Sequence, residues 1–407
     1  MSPALVAQQS QQKAPVIRSF ANEVLVPVVV RDAKGRAVGD LAKDDFQIFD
    51  NGKERTIIGF TIVKRAAEKS AENLPAPNLD ASGSLVPSQP ASVAPRIVVF
   101  LFDDFNLSVT ELAQAREAAI KAIDTSLAPT DMAAVLSTSG SNSGLTADHA
   151  KLKQTIQELR AKTLLRTNEH DCPNVDYYQG DRIINKSDDQ AFQAAVIEVL
   201  YCVKNITVEA AEAFARTAAA RAVQLGVQNY RANLYALRLI LNKLMGPLPG
   251  QHVVILVSSG FYAPDSDAMA IQSEIVDIAA RTNTVINALD ARGLYTTNTG
   301  ADVTTRVDPA SQRLVDHFRT SAMDANSEVM GELADGTGGT FFHNNNDFDA
   351  GFRTLVAGPE YTYLLAFSVA NAKARVHHKL RVKVSGAGLT VQARSGYTVP
   401  APEKHRK

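Results

Sequence analysis

The chain has 407 residues, enough for two or three domains with ample core. Its formal net charge is -1, with 45% hydrophobic and 21% charged residues, which excludes a strongly basic nucleic-acid binder and an acidic disordered chain. No stretch approaches the ~20 consecutive apolar residues of a membrane-spanning helix.

Residues 1–22 read as a disordered segment or the remnant of a secretory leader. Leu5-Val6-Ala7 has the small-residue character of a cleavage site, and a Gln-rich run follows it. An exported protein is therefore expected, in the periplasm, outside the cell or on its surface, with most of its leader trimmed. Residues 23–64 read as an N-terminal β segment. Val24 to Val30 is strand-like, with Pro27 arguing for an edge or a bulge. Asn51-Gly52 is a hairpin signal, with Thr56 to Val63 expected as the partner of Asp44 to Asp50. Residues 65–95, rich in Pro, Ser and Ala, read as a linker.

From residue 96 strands and helices alternate. Ile97 to Phe102 is a six-residue apolar run, the pattern of a strand buried on both faces of a parallel sheet. Thr110 to Leu127 has helical periodicity and stops before Pro129, and Met132 to Thr138 is a second strand. Asp148 begins a helix running to about Arg160. Residues 163–204 break the rhythm and read as an insertion with a short helix over Gln190 to Tyr201. They hold the two cysteines, Cys172 and Cys202, whose even count in an exported protein suggests one disulfide; two separate core thiols are the alternative. Residues 206–244 fit one long helix or two broken near Gly226. Strands follow at His252 to Gly260 and Thr284 to Asp290, with a helix between them from Ser266 to Arg281. Residues 294–318 read as a surface loop and Asp324 to Ala334 as a helix. The glycines of Gly336 to Gly339 follow a helix and precede the strand Thr340 to Phe342, the reverse of a phosphate cradle. A helix over Asp347 to Val356 ends the alternation. Residues 358–400 read as a C-terminal β segment, with strands at Tyr361 to Phe367, His378 to Val384 and Leu389 to Arg394, and 401–407 as a tail. Pairing of the two β segments would make a small β-sandwich with the α/β unit, residues 96–357, inserted between its halves.

Chemistry concentrates where the first buried strand ends. Asp103, Asp104, Asn106 and Ser108 all carry oxygens, the donors hard cations prefer, and ligands of open α/β sheets bind at the carboxyl ends of strands. No Gly-x-Gly-x-x-Gly follows the first strand, and no Gly-x-Ser-x-Gly elbow is present. Ser258-Ser259-Gly260 comes nearest, and Ser259 as a nucleophile would need His170 or His343 and Asp290 beside it.

Several stretches in this order resemble the von Willebrand factor type A domain, and more narrowly its acidobacterial VWFA-related group. They are Val24 to Phe60, RIVVFLFDDFNLS (96–108), HVVILVSSGF (252–261), INALDARGLY (286–295), LADGTGGTFF (333–342), YLLAFSV (363–369) and ARSGYTV (393–399). The resemblance implies a doubly wound, Rossmann-like parallel sheet and a MIDAS-like Mg²⁺ site built on Asp-x-Ser-x-Ser. Such a site takes a Thr from a second loop and an Asp after the fourth strand. Asp104, Asn106 and Ser108 match the first motif with Asn in place of Ser. Thr163 and Thr167 are the positional candidates for the Thr, and Ser258-Ser259 stands where the Asp belongs, so the site reads as degenerate. The implied function is non-enzymatic binding of another protein at the sheet's carboxyl edge. The alternatives are a hydrolase-like enzyme on the same sheet and a metal-free structural component of a surface assembly.

Overall fold

The computed structural model describes residues 23–33, 36–64, 96–129, 131–162, 171–245, 252–294, 309–357, 359–369 and 376–398. Residues 1–22, 65–95 and 401–407, together with Thr163, Thr167 and His170, lie outside them. The N-terminal segment forms β1 (Glu23–Arg31), β2 (Phe46–Asp50), β3 (Lys53–Arg55) and β4 (Ile57–Lys64). Asn51 and Gly52 take φ of 47° and 80°, the left-handed pair of a two-residue hairpin turn. The expected partner of β2 was Thr56 to Val63, and the structure differs. A two-residue turn leaves Lys53–Arg55 opposite β2. The apolar run of β4 instead joins the other sheet, where Phe60 lies opposite Leu365 and Ile62 opposite Tyr363. The charged residues stay on the exposed hairpin, and the apolar ones reach a deeper core.

The alternating region gives β5 (Ile97–Phe102), α1 (Val109–Ser126), β6 (Met132–Ser137), α2 (His149–Glu158), α3 (Tyr177–Ile184), α4 (Asp189–Cys202), α5 (Val208–Ile240), β7 (His252–Ser258), α6 (Ser266–Arg281), β8 (Thr284–Asp290), α7 (Pro309–Thr337), β9 (Phe341–Phe342) and α8 (Phe348–Ala357). The five strands pair in the order β6-β5-β7-β8-β9, all parallel. On one face Val98, Phe100 and Phe102 pack with α1, α2 and α8. On the other, Ile97, Val99 and Leu101 pack with α5, α6 and α7. Both faces of β5 and β7 are therefore covered, as their unbroken apolar runs require. β5 has β6 on one side and β7 on the other, so the strand order reverses beside it and a crevice opens at the carboxyl ends.

Of the two readings of residues 206–244, the structure has the single helix: Val208–Ile240 is unbroken despite Gly226. That glycine is there for contact: a Cβ would stand 2.0 Å from Cγ of Tyr177. Helix α7 begins at Pro309, inside the expected 294–318 loop. Its first turns look polar in sequence, yet Val315 and Phe318 are buried against Ala191 and Ala194 of α4, a partner distant in the chain. Helix α3 was not expected, because residues 163–204 lack a run long enough to show helical periodicity.

The C-terminal segment adds β10 (Tyr361–Ser368), β11 (His377–Val384), β12 (Thr390–Ala393) and β13 (Gly396–Thr398). Two four-stranded antiparallel sheets result, β12-β1-β10-β4 and β13-β11-β2-β3, each mixing N- and C-terminal strands over one shared core. Pro27 is not on an edge strand, since β1 pairs with both β10 and β12. Pairing with β12 reaches only Val28, however, so Pro27 lies where β1 has a single neighbour. These sheets dock on the parallel-sheet unit through Leu25, Leu364 and Ala366 against Ala280. Arg394 locks the contact. It is fully buried, pairs with Asp277 of α6, and donates to Ser273 Oγ (3.1 Å) and the carbonyl oxygen of Leu25 (3.1 Å). A buried guanidinium needs such partners to offset its desolvation.

Candidate functional site at the carboxyl edge of the parallel sheet

The backbone at the end of β5 sets the site. Asp103 N–H donates to Val257 O (2.9 Å), which carries the β5–β7 ladder one residue past the strand. The carbonyl of Asp103 then accepts from Asn106 N (3.1 Å) and Leu107 N (3.0 Å), a tight turn that buries Leu107. Ser108 follows as the N-cap of α1. Its Oγ accepts from Glu111 N (3.2 Å), and Glu111 Oε2 accepts from Ser108 N (2.7 Å), a reciprocal capping box.

Asp103 is 0% exposed and Asp104 1%. Asp103 Oδ2 accepts from Ser258 Oγ (2.6 Å) and Asn106 Nδ2 (2.5 Å), and its Oδ1 accepts from Thr138 Oγ1 (3.3 Å). Burial pushes the Asp103 carboxyl above its usual range, while Ser258, Asn106 and Asn233 pull the other way by bonding the charged form. Asp104 Oδ1 accepts from Thr138 Oγ1 (2.9 Å) and Ser139 N (2.9 Å), and Oδ2 from Ser139 Oγ (2.5 Å). Asn106 exchanges amide hydrogen bonds with Asn229 of α5 (2.7 and 2.5 Å), and Asn229 Oδ1 also accepts from Asn233 Nδ2 (3.2 Å). The network ties β5, β7, the loop after β6 and α5 together beneath the helices.

Asp104, Asn106 and Ser108, the expected Mg²⁺ ligands, sit at this edge, but as arranged they fit hydrogen-bonding roles and not a cation cage. Ser108 turns its hydroxyl to the helix it caps. Asn106 aims N–H at Asp103 and gives its carbonyl oxygen to Asn229. The oxygens of Asp104 face hydroxyl and amide protons. Ser258 holds the position where a second carboxylate would add negative charge, and there it supplies a proton to Asp103. Hydroxyl and amide protons thus stand where a cation would supply positive charge. Both carboxylates are also closed to solvent, so no partner's carboxylate reaches them. Among the described residues, no three His, Cys, Asp or Glu side chains group as a metal site.

Thr138, Ser139, Asn229 and Asn233 complete the network and were missed in sequence. The two asparagines carried a signal, since they stand four apart on the buried stripe of α5, where a polar residue needs a reason. Thr138 and Ser139 gave none, because a Ser/Gly turn after a strand is common. Ser259 Oγ donates to Glu111 Oε2 (2.8 Å) and Asn106 O (3.3 Å). The Asp290 carboxylate is held by Arg292 (2.6 and 2.9 Å), and the His343 ring stacks on Phe341. The structure therefore gives Ser259 the Glu111 carboxylate as partner and ties Asp290 and His343 elsewhere, while His170 lies outside the described residues.

Helices rise past this edge. Asn229 marks the strand ends, and Leu234, Leu237 and Ile240 lie on the sheet. At 1.5 Å per residue, the part of α5 from Asn229 back to Val208 extends about 30 Å beyond them. α7 does the same, for Asn326 O accepts from Phe261 N (3.0 Å) at the edge and Pro309 lies far beyond it. α3 and α4 pack against these outer halves. Tyr177 stacks on Tyr230 (6.4 Å between centroids) and meets the edge of Tyr262 (5.3 Å), three aromatic rings that root the projection just past β7. Burial, then the bonded Asp265, pushes the Tyr230 phenol up to about 12. Farther out, Glu198 accepts from Asn174 N (2.9 Å) and Arg319 of α7 (2.8 Å). Cys172 and Cys202 form a disulfide with Cα atoms 6.3 Å apart.

Comparison with known proteins adds little. No family model matches the chain, and no curated protein matches it. A solved structure similar to it is the N-terminal domain of TFIIH p34, at 9% identity, covering 65% of this chain and 97% of that one, with a TM-score of 0.25. A likeness at that score carries no argument about fold or function.

Proposed function

We propose that this chain is an exported, von Willebrand factor type A-like module that binds another protein at the carboxyl edge of its parallel sheet, without catalysis and without a bound cation. The observation that supports it most is the helical projection. The chain places its largest elaboration, α3, α4 and the outer halves of α5 and α7, at the edge where open α/β sheets place their ligands. A rigid sheet presenting a variable elaboration is the usual arrangement for recognition. The interlocked polar network beneath the projection favours a scaffold role over a reactive centre. A disulfide is consistent with an oxidising compartment. Among the described residues, no helix is long and apolar enough to cross a membrane.

The test is retention of a protein from periplasmic or surface extract on the immobilised full chain, in millimolar Mg²⁺ and in chelator. One stoichiometric partner held equally in both is expected. No partner, or a partner held only with Mg²⁺, overturns the reading. Melting of the chain alone should not move between the two conditions, since any ligand that binds the native state stabilises it.

A further inference from the structure

We infer that the groove where the antiparallel sheets meet α6 and α7 binds a primary alkylammonium group, with Glu332 and Gln272 taking its nitrogen. The site is separate from the carboxyl edge and does not rest on the protein-binding reading. On α7, Asn326 marks that edge, and Glu332 lies about 9 Å below it by helix rise, toward Thr337 and the start of β8.

The groove encloses about 90 Å³. At about 30 Å³ per water-sized group it takes roughly three such groups, the size of an amine with a short methylene stem. α6 and α7 form one wall, and His377 of β11 and the β12–β13 turn form the other. The His377 ring lies directly on Gly396, where a Cβ would stand 2.6 Å from Nε2. Gln272 is the decisive group. It is only 8% exposed, yet its side-chain amide lines the groove and has no hydrogen-bond partner among the described residues. Buried polar groups are bonded as a rule, so this amide is placed to meet a group from outside the chain. Beside it Val276 and Leu333 are buried and Met269 is half-exposed at the mouth, an apolar wall for a methylene stem.

Charge selects a cation. Apart from His377, the ionisable side chains lining the groove are Glu332 and Arg394. Arg394 is occupied: it pairs with Asp277 and donates to Ser273 Oγ, Leu25 O and Gly396 O (3.0 Å). Glu332 has no base beside it. Burial, then the Glu328 and Asp335 carboxylates, push its carboxyl above the usual range. Burial, then the Arg394 guanidinium, hold His377 below its usual range, so the ring adds no positive charge at neutral pH. Lys379 acts on His377 from outside the groove. An entering cation relieves the repulsion among the three carboxylates, and an anion adds to it. One carboxylate and one amide against aliphatic walls suit an organic ammonium, whereas a metal ion needs six or more oxygens.

The full, oxidised chain is titrated by calorimetry at neutral pH with n-butylammonium, and in parallel with 1-butanol, butyrate and Nα-acetyl-lysine amide. Butylammonium is expected to bind saturably at one site, and the alcohol and butyrate at least about tenfold more weakly, since a hydrogen bond to a charged group is worth roughly that factor. Glu332→Gln keeps the shape and should weaken butylammonium about threefold to fivefold, the range of a partly exposed ion pair. Gln272→Leu removes the amide at similar volume and should weaken it about tenfold. The melting temperature of the free Gln272→Leu chain should stay level or rise, because an unbonded buried amide is replaced by an apolar group; a merely structural glutamine would lower it. Glu274→Gln makes the same charge change on the other side of α6, where the carboxylate pairs with Arg238 (3.1 Å), and should leave binding unchanged. Acetyl-lysine amide distinguishes the sources of the amine. Binding as tight as butylammonium assigns the groove to a lysine side chain of another protein, and exclusion beside retained butylammonium binding assigns it to a free amine. No saturable binding of butylammonium, equal binding of the alcohol, full affinity in Glu332→Gln or Gln272→Leu, or an equal loss in Glu274→Gln each overturns the assignment. The retention test on extract is untouched by these outcomes, so the groove and the protein-binding edge stand or fall separately.

Discussion

Replacing Ser258 by Ala tests the view that protein donors do the work of a cation at the strand ends. The side chain is fully buried and has two jobs. Its hydroxyl donates to Asp103 Oδ2 (2.6 Å), and its oxygen accepts from Gly260 N (3.0 Å). A hydrogen bond to a charged group contributes about 1.5–3 kcal/mol, and an orphaned buried N–H costs about 1–3 kcal/mol. Backbone relaxation near Gly260 recovers part of this, so about 3 kcal/mol is expected. In a chain this size a single unfolding free energy is poorly defined, and native-state amide exchange is the better assay. Peptides covering residues 97–108 and 252–262 should exchange about a hundredfold faster, since each ~1.4 kcal/mol is tenfold. The pH dependence adds a second check. A carboxyl whose folded pKa lies above its unfolded value destabilises the fold as pH rises through that interval. Burial already raises Asp103, and losing a donor to its charged form raises it further. The penalty should therefore be larger at pH 8 than at pH 5. An acceleration below threefold at pH 8, or a larger effect at pH 5, would refute the reasoning.

Three further outcomes are expected. Gly226→Ala should destabilise the outer half of α5 by about 1–3 kcal/mol, although Ala in a helix interior ordinarily gains ~1 kcal/mol over Gly, because the new Cβ meets the Tyr177 ring; a rise in the melting temperature would contradict the contact. The Asp176 carboxyl, which accepts from Gln179 N at the start of α3, is pushed up to about 6 by burial and by the nearby Glu198. The folded state then holds that proton more firmly than the unfolded chain, and stability falls as pH rises from about 4 to about 6. Asp176→Asn, an equivalent cap, should stabilise α3 on the order of 2 kcal/mol at pH 7.5 and leave it unchanged below about pH 4, read by exchange of peptides covering 177–184. Reducing Cys172–Cys202 should loosen the projection by about 3–4 kcal/mol in the loop-entropy view, seen as protease cleavage confined to residues 171–207; protection equal to that of the oxidised chain would show that packing alone holds it.

Much of the architecture was legible because it rests on local pattern. Ile97 to Phe102, His252 to Ser258 and Thr284 to Asp290 are apolar without interruption, and only a strand covered on both faces accommodates that. Asp148 and Asn51-Gly52 announced a helix start and a turn through their own chemistry. The site was half legible. Asp104, Asn106 and Ser108 were placed at the right edge, but their roles depend on groups no motif connects to them. Asn229 lies 123 residues from Asn106, and Ser258 lies 155 from Asp103.

The order of residues alone determined which segments would be buried strands and most of the helices, α3 and the first half of α7 excepted, and that acidic and amide side chains would crowd the end of β5, because burial periodicity and capping act within a few residues. Only the tertiary structure decided that Lys53–Arg55 pairs with β2 while Ile57–Lys64 crosses to β10, that Gly226 sits inside an unbroken helix against Tyr177, and that hydroxyl and amide protons close over Asp103 and Asp104. Those outcomes depend on which distant surface offers the most burial and the best-matched donor, and that is settled by packing in three dimensions.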